Sequence, residues 1–258
     1  MRFMTYNILE GAAGGERLRR VTSAVQRCRP DVLALMECNG FDRDGQRTMF
    51  ELERVLGMRG VLGRTSSGFH LALFVRNYEI LEAEFHGDWF HHGALRLRLE
   101  VCGAPLTVIA THLCPFSGES RIREAQYLTS YARGERVVVM GDMNNISQSD
   151  LVHLDLPGML PFRRARHLVP GTSTVDTRAL DVLAASGLQD LWPHLHGNAF
   201  GGTLPTPLLE GEAKPVLRLD YIFASTDLAS KATACEVVVD DDTRSASDHY
   251  PVWADITL

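Results

Sequence analysis

Residues 30–37, Pro30-Asp31-Val32-Leu33-Ala34-Leu35-Met36-Glu37, form the stretch that decides the fold. Val32–Met36 is a continuous apolar run of the length of a strand. Such a run predicts a strand that is covered on both faces, as in proteins that combine helices and strands. Glu37 ends the run with a carboxylate, and the ends of buried strands are where such folds place functional groups. The stretch therefore predicts an α/β fold with a site at its strand ends.

Segments on both sides of this stretch continue the alternation of helices and strands. Ala94–Val101 alternates aliphatic with charged residues, which predicts a strand with one wet face. The strands are predicted at 3–8, 32–36, 69–75, 80–85, 94–101, 106–112, 136–140, 218–224, 235–239 and 251–257. The helices are predicted at 17–27, 47–56, 117–132 and 177–186, and 193–215 is predicted to be a long loop. Both halves contain helices and several strands, so we predict one domain, residues 1–258, of two packed sheets with helices outside.

Composition restricts the possible partners. The chain of 258 residues has a net charge of −6, from 26 Lys and Arg against 32 Asp and Glu. This balance argues against a protein that grips long duplex DNA, since such proteins neutralise phosphates with a basic face. The five cysteines contain no CxxC pair, so neither a disulfide framework nor a zinc knuckle is indicated. No secretion signal or membrane span is recognisable, and we expect a cytoplasmic monomer.

Polar residues follow or interrupt the apolar strands at several places along the chain. They are Asn7, Glu37, His112, Asp142, Asn144, Asp220, Asp248 and His249. Asp220 lies between Leu219 and Tyr221, and a carboxylate in an apolar strand is rare without a partner. If these strand ends converge, their carboxylate and amide oxygens suit Mg²⁺ or Mn²⁺ better than zinc. A cation would also relieve the repulsion between clustered carboxylates.

Six motifs in this order resemble the endonuclease/exonuclease/phosphatase superfamily, which includes DNase I-like nucleases, abasic-site endonucleases, inositol-polyphosphate 5-phosphatases and sphingomyelinases. The motifs are TYNI at 5–8, PDVLALME at 30–37, THL at 111–113, GDMN at 141–144, RLDYI at 218–222 and SDHYPV at 247–252. The resemblance implies a DNase I-like four-layer α/β/β/α sandwich. It also implies a divalent-metal-dependent hydrolase of phosphate esters, with Mg²⁺ or Mn²⁺ as cofactor.

The resemblance implies a metal site at Glu37, with Asn7 and Asp248 close to the ion, directly or through water. Two positions depart from the pattern of the family. Met36 stands where the family often has Gln before the metal-binding Glu, which is a tolerable change. Asn145 follows Asn144 where many members have a small residue, and this could alter the rim of the pocket.

The resemblance also assigns roles in catalysis. Asp142 would orient or deprotonate the attacking water, and Asn144 would hold the scissile phosphate. His249 would contact the phosphate and be kept in orientation by Asp220. His112 would donate a hydrogen bond to a phosphoryl oxygen. Hydrolysis of a phosphate ester needs a positioned nucleophile and neutralised phosphoryl oxygens, and this set offers both.

Several alternatives stay open at the level of sequence. The substrate could be a nucleic acid, a phospholipid headgroup or a small metabolite. An enzyme of specialised metabolism could use the same metal site on a non-phosphate substrate. A non-catalytic binding module would be expected to lose residues such as Glu37 or Asp142, and both are present. His86, His91 and His92 could form a second metal site, although an exposed loop is the expected arrangement.

Overall fold

The computed structural model describes residues 1–132, 136–209 and 215–258. The strands are β1 (Arg2–Asn7), β2 (Val32–Met36), β3 (Arg59–Gly63), β4 (Leu71–Val75), β5 (Glu79–His86), β6 (Ala94–Val101), β7 (Ala104–His112), β8 (Val137–Asp142), β9 (Leu188–Asp190), β10 (Asp220–Ser225), β11 (Ala232–Val237) and β12 (Val252–Ile256). The helices are α1 (Gly15–Cys28), α2 (Arg47–Leu56), α3 (Gly118–Tyr131), α4 (Pro161–Arg164), α5 (Arg178–Ala185), α6 (Leu191–His196), α7 (Thr226–Ala229) and α8 (Thr243–Ala246). Short 3₁₀ segments lie at Glu10–Ala13, Gln148–His153, Ala165–His167 and Pro207–Leu209.

The strands form two mixed sheets of six strands each. One sheet has the order β11-β12-β1-β2-β4-β3, and the other has the order β5-β6-β7-β8-β10-β9. The pairs β1–β2 and β7–β8 are parallel, and the remaining neighbours are antiparallel. The predicted α/β architecture of two sheets with helices around them is confirmed.

Strand β2 shows why the apolar run is continuous. Its residues Val32, Ala34 and Met36 belong to the core between the two sheets. The alternate residues, Leu33 and Leu35, belong to a second core that α1 and α2 complete on the outer face of the same sheet. A third core joins the outer face of the other sheet to α3 and α5. Alternate side chains of a strand point to opposite faces, so a strand covered on both faces must be apolar throughout.

Several elements differ from the sequence-based expectation, among them the four-residue helices α4, α7 and α8, which were not predicted. Strands β3 and β9 were not predicted, and α6 occupies the beginning of the segment expected to be a loop. Pro193 is tolerated in α6 because it lies in the first turn, where backbone N–H groups have no intrahelical partner. Residues 210–214 of that expected loop lie outside the described residues. None of the helices that the structure describes is long and apolar enough to cross a membrane.

The register of the strands brings the predicted site residues to one end of the sandwich. Asn7 at the end of β1 pairs with Met36, which precedes Glu37. In the other sheet, His112 pairs with Asp142, and Asp142 pairs with Asp220. Gly141 allows this pairing, since a Cβ at its φ of 151° would lie 1.8 Å from the carbonyl oxygen of Thr111. Both sheets thus present polar side chains at the same end.

Candidate active site

Asn7 connects the polar residues of the two sheets. Its Nδ2 donates to Glu37 Oε1 at 3.1 Å and to Asp142 Oδ2 at 3.0 Å. Its Oδ1 accepts a hydrogen bond from the backbone N–H of Leu9 at 3.1 Å. If the Asn7 amide were turned round, its oxygen would face the two carboxylates and its NH₂ group would face the N–H of Leu9. Only the observed orientation therefore satisfies all three partners. Asn7 therefore holds Glu37 and Asp142 at a fixed separation.

Asp142 lies at the centre of the site and is buried. Its Oδ2 is 3.5 Å from His112 Nε2 and 3.8 Å from His249 Nε2. Its Oδ1 accepts a hydrogen bond from the backbone N–H of Asn144 at 2.9 Å. The side chain of Asn144 is in turn fixed by a 3.0 Å bond from its Nδ2 to the Leu113 carbonyl oxygen. Asp142 is thus surrounded by the residues expected to bind a phosphate.

His249 and Asp220 form a buried pair in which His249 Nδ1 is 2.7 Å from Asp220 Oδ2. Burial opposes the charged imidazole, but the carboxylates of Asp220, Asp248 and Asp142 outweigh it and raise the pKa of His249 well above its ordinary value. The contact with Asp220 also leaves Nε2, the other ring nitrogen, on the side of Asp142. His249 can therefore present a positively charged N–H to an anion in the site.

Asp248 is half-buried and joins the site through its neighbour Ser247. The Ser247 hydroxyl donates to the Asn7 carbonyl oxygen at 2.6 Å and lies 3.4 Å from Asp248 Oδ1. The backbone N–H of Thr206 bonds to the carbonyl oxygen of Asp248 at 3.0 Å. These contacts fix the backbone that carries Asp248 and His249 against the end of β1.

The backbone around Glu37 adopts conformations that are costly for residues other than glycine. Glu37 has a φ of 60°, Asn144 has a φ of 45°, and every residue from Leu9 to Gly15 has a positive φ. The turn at 9–13 returns backbone donors to Glu37, because the N–H of Glu10 bonds to Glu37 Oε2 at 3.0 Å. Left-handed conformations cost roughly 1–2 kcal/mol per residue, and they tend to cluster at functional sites.

The donor set fits a divalent cation that prefers oxygen. Each oxygen of Glu37 accepts one hydrogen bond, so lone pairs remain for a cation. The ligand atoms of Asp142, Asp220 and His249 also lie within 4.8 Å of one another. His249 and Asp220 bind each other, however, and a metal site at Glu37, with Asn7 and Asp248 close to the ion, stays a prediction.

The three clustered histidines occupy different surroundings. His92 is buried and stacks on His112, with 4.3 Å between the ring centroids, and its Nδ1 is 2.9 Å from the Ser67 hydroxyl. His91 contacts Phe116 edge to face at 5.5 Å. His86 stacks on Tyr131 at 3.8 Å. Among the described residues, no group of three metal-ligating side chains includes any of these histidines.

Sequence reasoning missed two buried residues of α3 that support the site. Arg121 is fully buried and donates to the carbonyl oxygens of Cys114 and Arg166, at 3.0 and 2.5 Å. Glu124 accepts from the backbone N–H groups of His91 and Cys114, both at 2.7 Å. Burial raises the pKa of Glu124 to about 7 against the opposing effect of these two donors. Arg and Glu in an amphipathic helix are usually exposed, so only their three-dimensional contacts identify them.

Comparison with known proteins places these features in a family. The chain matches the Endonuclease/Exonuclease/phosphatase family over residues 4–249. No curated protein matches it.

Three solved structures have the same fold. An AP endonuclease from Archaeoglobus fulgidus is 20% identical, with a TM-score of 0.74 and full coverage (100%) of both chains. A 3′-5′ exonuclease (NExo) from Neisseria meningitidis is 18% identical, with a TM-score of 0.73 and again 100% of both chains. TDP2 from D. rerio, complexed with single strand DNA product, is 18% identical with a TM-score of 0.66, over 98% of this chain and 97% of that one. At these identities the likeness shows the fold alone.

Proposed function

This chain belongs to the endonuclease/exonuclease/phosphatase family, and from that membership we propose that it is a divalent-metal-dependent hydrolase of phosphate esters. The observation that carries the proposal is the convergence of Asn7, His112 and His249 on Asp142. A buried carboxylate beside imidazoles and an amide offers both a base for water and donors for an anion.

A Mg²⁺ or Mn²⁺ ion held by Glu37 and Asp248, with Asn7 alongside, would polarise the phosphate as a Lewis acid. Asn7 contributes by fixing Glu37 relative to Asp142, because its amide donates to both carboxylates. The backbone N–H of Glu10 holds the second oxygen of Glu37. The carboxylate therefore needs little rearrangement to accept the ion, which favours binding.

Asp142 orients the attacking water and takes its proton. Its Oδ1 is engaged by the N–H of Asn144, and its Oδ2 faces His112 and His249. His249, cationic beside Asp220, and His112 donate to the phosphoryl oxygens, where negative charge must be neutralised. Asn144 Nδ2 uses one hydrogen on Leu113 and keeps the other for the phosphate.

The substrate that we propose is a small or single-stranded phosphate ester. The net charge of −6 disfavours a wide electrostatic contact with duplex DNA. One structural neighbour was solved with a single strand DNA product, which is consistent with an ester of this size. A phosphodiester and a phosphomonoester are both compatible with the residues around Asp142.

The test is hydrolysis of bis(p-nitrophenyl) phosphate and p-nitrophenyl phosphate with Mg²⁺ or Mn²⁺ by the wild type, Glu37→Ala and His249→Ala. We expect metal-dependent turnover that falls by roughly 10²–10⁴ in both variants, and the preferred ester distinguishes a diesterase from a monoesterase. Glu51→Ala, at an exposed position of α2, is the matched control and should keep full activity.

Titration calorimetry with Mn²⁺ supplies a measurement that does not depend on the choice of ester. The wild type should bind the ion and Glu37→Ala should not. Absence of turnover on both esters, together with Mn²⁺ binding that is unaffected by Glu37→Ala, would refute the proposed hydrolase. A non-catalytic binding module would then be the remaining interpretation of the fold.

A further inference from the structure

A pocket opens beside the candidate site and shares two residues with it, Asn144 and His249. It encloses about 120 Å³. This is close to the ~150 Å³ of an apolar cavity that admits benzene. Because the pocket shares Asn144 and His249 with the site, a ligand group in the pocket would lie next to a phosphate bound by these two residues. The group and the phosphate would then be adjacent parts of one molecule.

One wall of the pocket is apolar. Met159, Leu217 and Leu219 line it, and all three are buried in a small apolar cluster with Ile146. Leu219 directly precedes Asp220 and Leu217 lies two residues before Leu219, so this wall is joined to the strand that orients His249. Such a wall favours the carbon skeleton of a ligand over water.

The opposite wall is cationic and comes from the segment of α4 and the 3₁₀ turn at Ala165–His167. It contributes Arg163, Arg166 and His167. The guanidinium of Arg166 lies over the exposed rings of Phe116 and Phe162, at 5.0 and 5.6 Å from their centroids. Within the described part of the chain, Arg166 forms no salt bridge with an acidic side chain. Because aromatic rings do not neutralise the charge of the Arg166 guanidinium, it can still pair with an anionic group of a ligand.

A further contact holds this wall in place. The buried guanidinium of Arg121 donates to the carbonyl oxygen of Arg166, which fixes the backbone beneath the Arg166 side chain. His167 is buried, and its Nδ1 has no hydrogen-bond partner among the described residues. Arg166 gives this side of the pocket a positive charge on a chain whose net charge is −6.

We propose that this pocket binds the organic group of the substrate and that this group carries a second anion, a carboxylate or a phosphate, which pairs with Arg166. The proposal rests on the proposed function, since it takes the scissile phosphate to lie at Asn144 and His249. It narrows the substrate from phosphate esters in general to esters with an apolar body and a further negative charge. Arg166 becomes the residue that sets specificity without touching the reacting phosphate.

The experiment measures binding by titration calorimetry of the full chain with Mg²⁺, using phenylphosphonate, 3-carboxyphenylphosphonate and 4-carboxyphenylphosphonate. A hydrogen bond to a charged group contributes about 1.5–3 kcal/mol, so one carboxylated compound should bind at least about 10-fold more tightly than phenylphosphonate. Arg166→Gln should abolish this advantage and leave the Kd of phenylphosphonate unchanged. Arg166→Lys should retain part of it, because the charge remains without the planar fork.

Arg123→Gln, which removes an exposed arginine of α3, is the matched control and should keep the full advantage. An advantage of a carboxylated compound that survives Arg166→Gln would overturn the proposal and leave the hydrolase untouched. Equal affinity for all three compounds would exclude a carboxylate as the second anion. Failure of all three compounds to bind would refute the phosphate site itself, and the pocket proposal with it.

Thymidylate oligomers distinguish the two sources of a second anion. An Arg166-dependent gain in affinity from dimer to tetramer would support the pocket and identify the anion as a backbone phosphate. An Arg166-dependent gain confined to the aryl carboxylates would support the pocket and identify a small ester. A gain in neither series overturns the proposal.

Discussion

Asp220 is buried at the start of β10, and its strongest contact is the 2.7 Å bond to His249 Nδ1. Replacing it with Asn removes the negative charge that favours the imidazolium and offers His249 a neutral partner. We predict that Asp220→Asn lowers kcat by roughly 10²–10⁴, as expected for the loss of a correctly charged donor, with little change in KM. Steady-state kinetics on bis(p-nitrophenyl) phosphate measure both constants.

The control for that variant is Asp181→Asn, since Asp181 lies in α5 and bonds to Gln148 and Thr177 away from the site. It should retain full kcat. If Asp220→Asn kept the kcat of the wild type, the pair would have a structural role only, and the assignment of His249 as a cationic donor would be wrong.

Individual residues were predictable where the local sequence made them unusual. Asp220 was recognisable because apolar residues flank it, and Glu37 because it ends an apolar run. His92 was not, since its stacking on His112 depends on the approach of separate parts of the chain. Arg121 was also missed, because a helical arginine is normally exposed and only its two buried carbonyl partners reveal its role.

At the scale of elements, the parallel pairing of β7 and β8 is what places His112 beside Asp142. It requires Gly141, because a Cβ there would lie 1.8 Å from the Thr111 carbonyl oxygen. We predict that Gly141→Ala lowers the free energy of unfolding by more than about 3 kcal/mol and reduces activity, since the strands must separate. Urea unfolding and the ester assay measure the two effects.

Gly103 provides a matched control in the turn between β6 and β7. Its φ is 78°, and no atom lies within 4 Å of a Cβ built there. Gly103→Ala should therefore cost only the roughly 1–2 kcal/mol of a left-handed alanine and should leave activity intact. Equal losses of stability in the two variants would show that the close approach at Gly141 is not a constraint.

The elements that the sequence predicted best are strands whose hydrophobic pattern follows directly from burial, either on both faces of the strand or on one face. Val32–Met36 and Ala94–Val101 were predicted with the bounds that the structure has. Strand β9 was missed because it has only three residues. Helix α6 was missed because Pro193 was taken as a sign of a loop, although Asp190 caps the helix by accepting from the N–H of Trp192.

For the molecule as a whole, two buried histidines link stability to pH. Burial, with His112 and His91 nearby, lowers the pKa of His92 to about 2. Burial, with Arg121 and Arg166, lowers the pKa of His167 to about 4 against the opposing effect of Asp142. The unfolded chain binds protons on these rings below about pH 6.5, and the folded chain does not.

On these two rings the unfolded state therefore takes up more protons than the folded state as the pH falls, while the raised pKa of Glu124 acts in the opposite direction. We predict that the free energy of unfolding decreases below about pH 6 by roughly 1.4 kcal/mol per pH unit for each histidine, and that the contribution of His167 ends near pH 4. Urea midpoints between pH 7.5 and 4.5 measure the slope. His167→Gln should make it shallower, and His194→Gln, at an exposed position, should not. A slope unchanged by His167→Gln would contradict the prediction.

The pairing of β1 with β12 has a consequence for biosynthesis. Strand β1 lies between β2 and β12, and the backbone nitrogen of Met1 donates to the carbonyl oxygen of Ile256 at 2.7 Å. During translation one edge of β1 stays unpaired until the ribosome has released residues 252–256. Contacts so distant along the chain form slowly, and unpaired strand edges attract other chains. The nascent polypeptide should thus depend on chaperones at β1 until β12 has been made, and Asn7 can meet Ser247 only after residue 247 has left the ribosome.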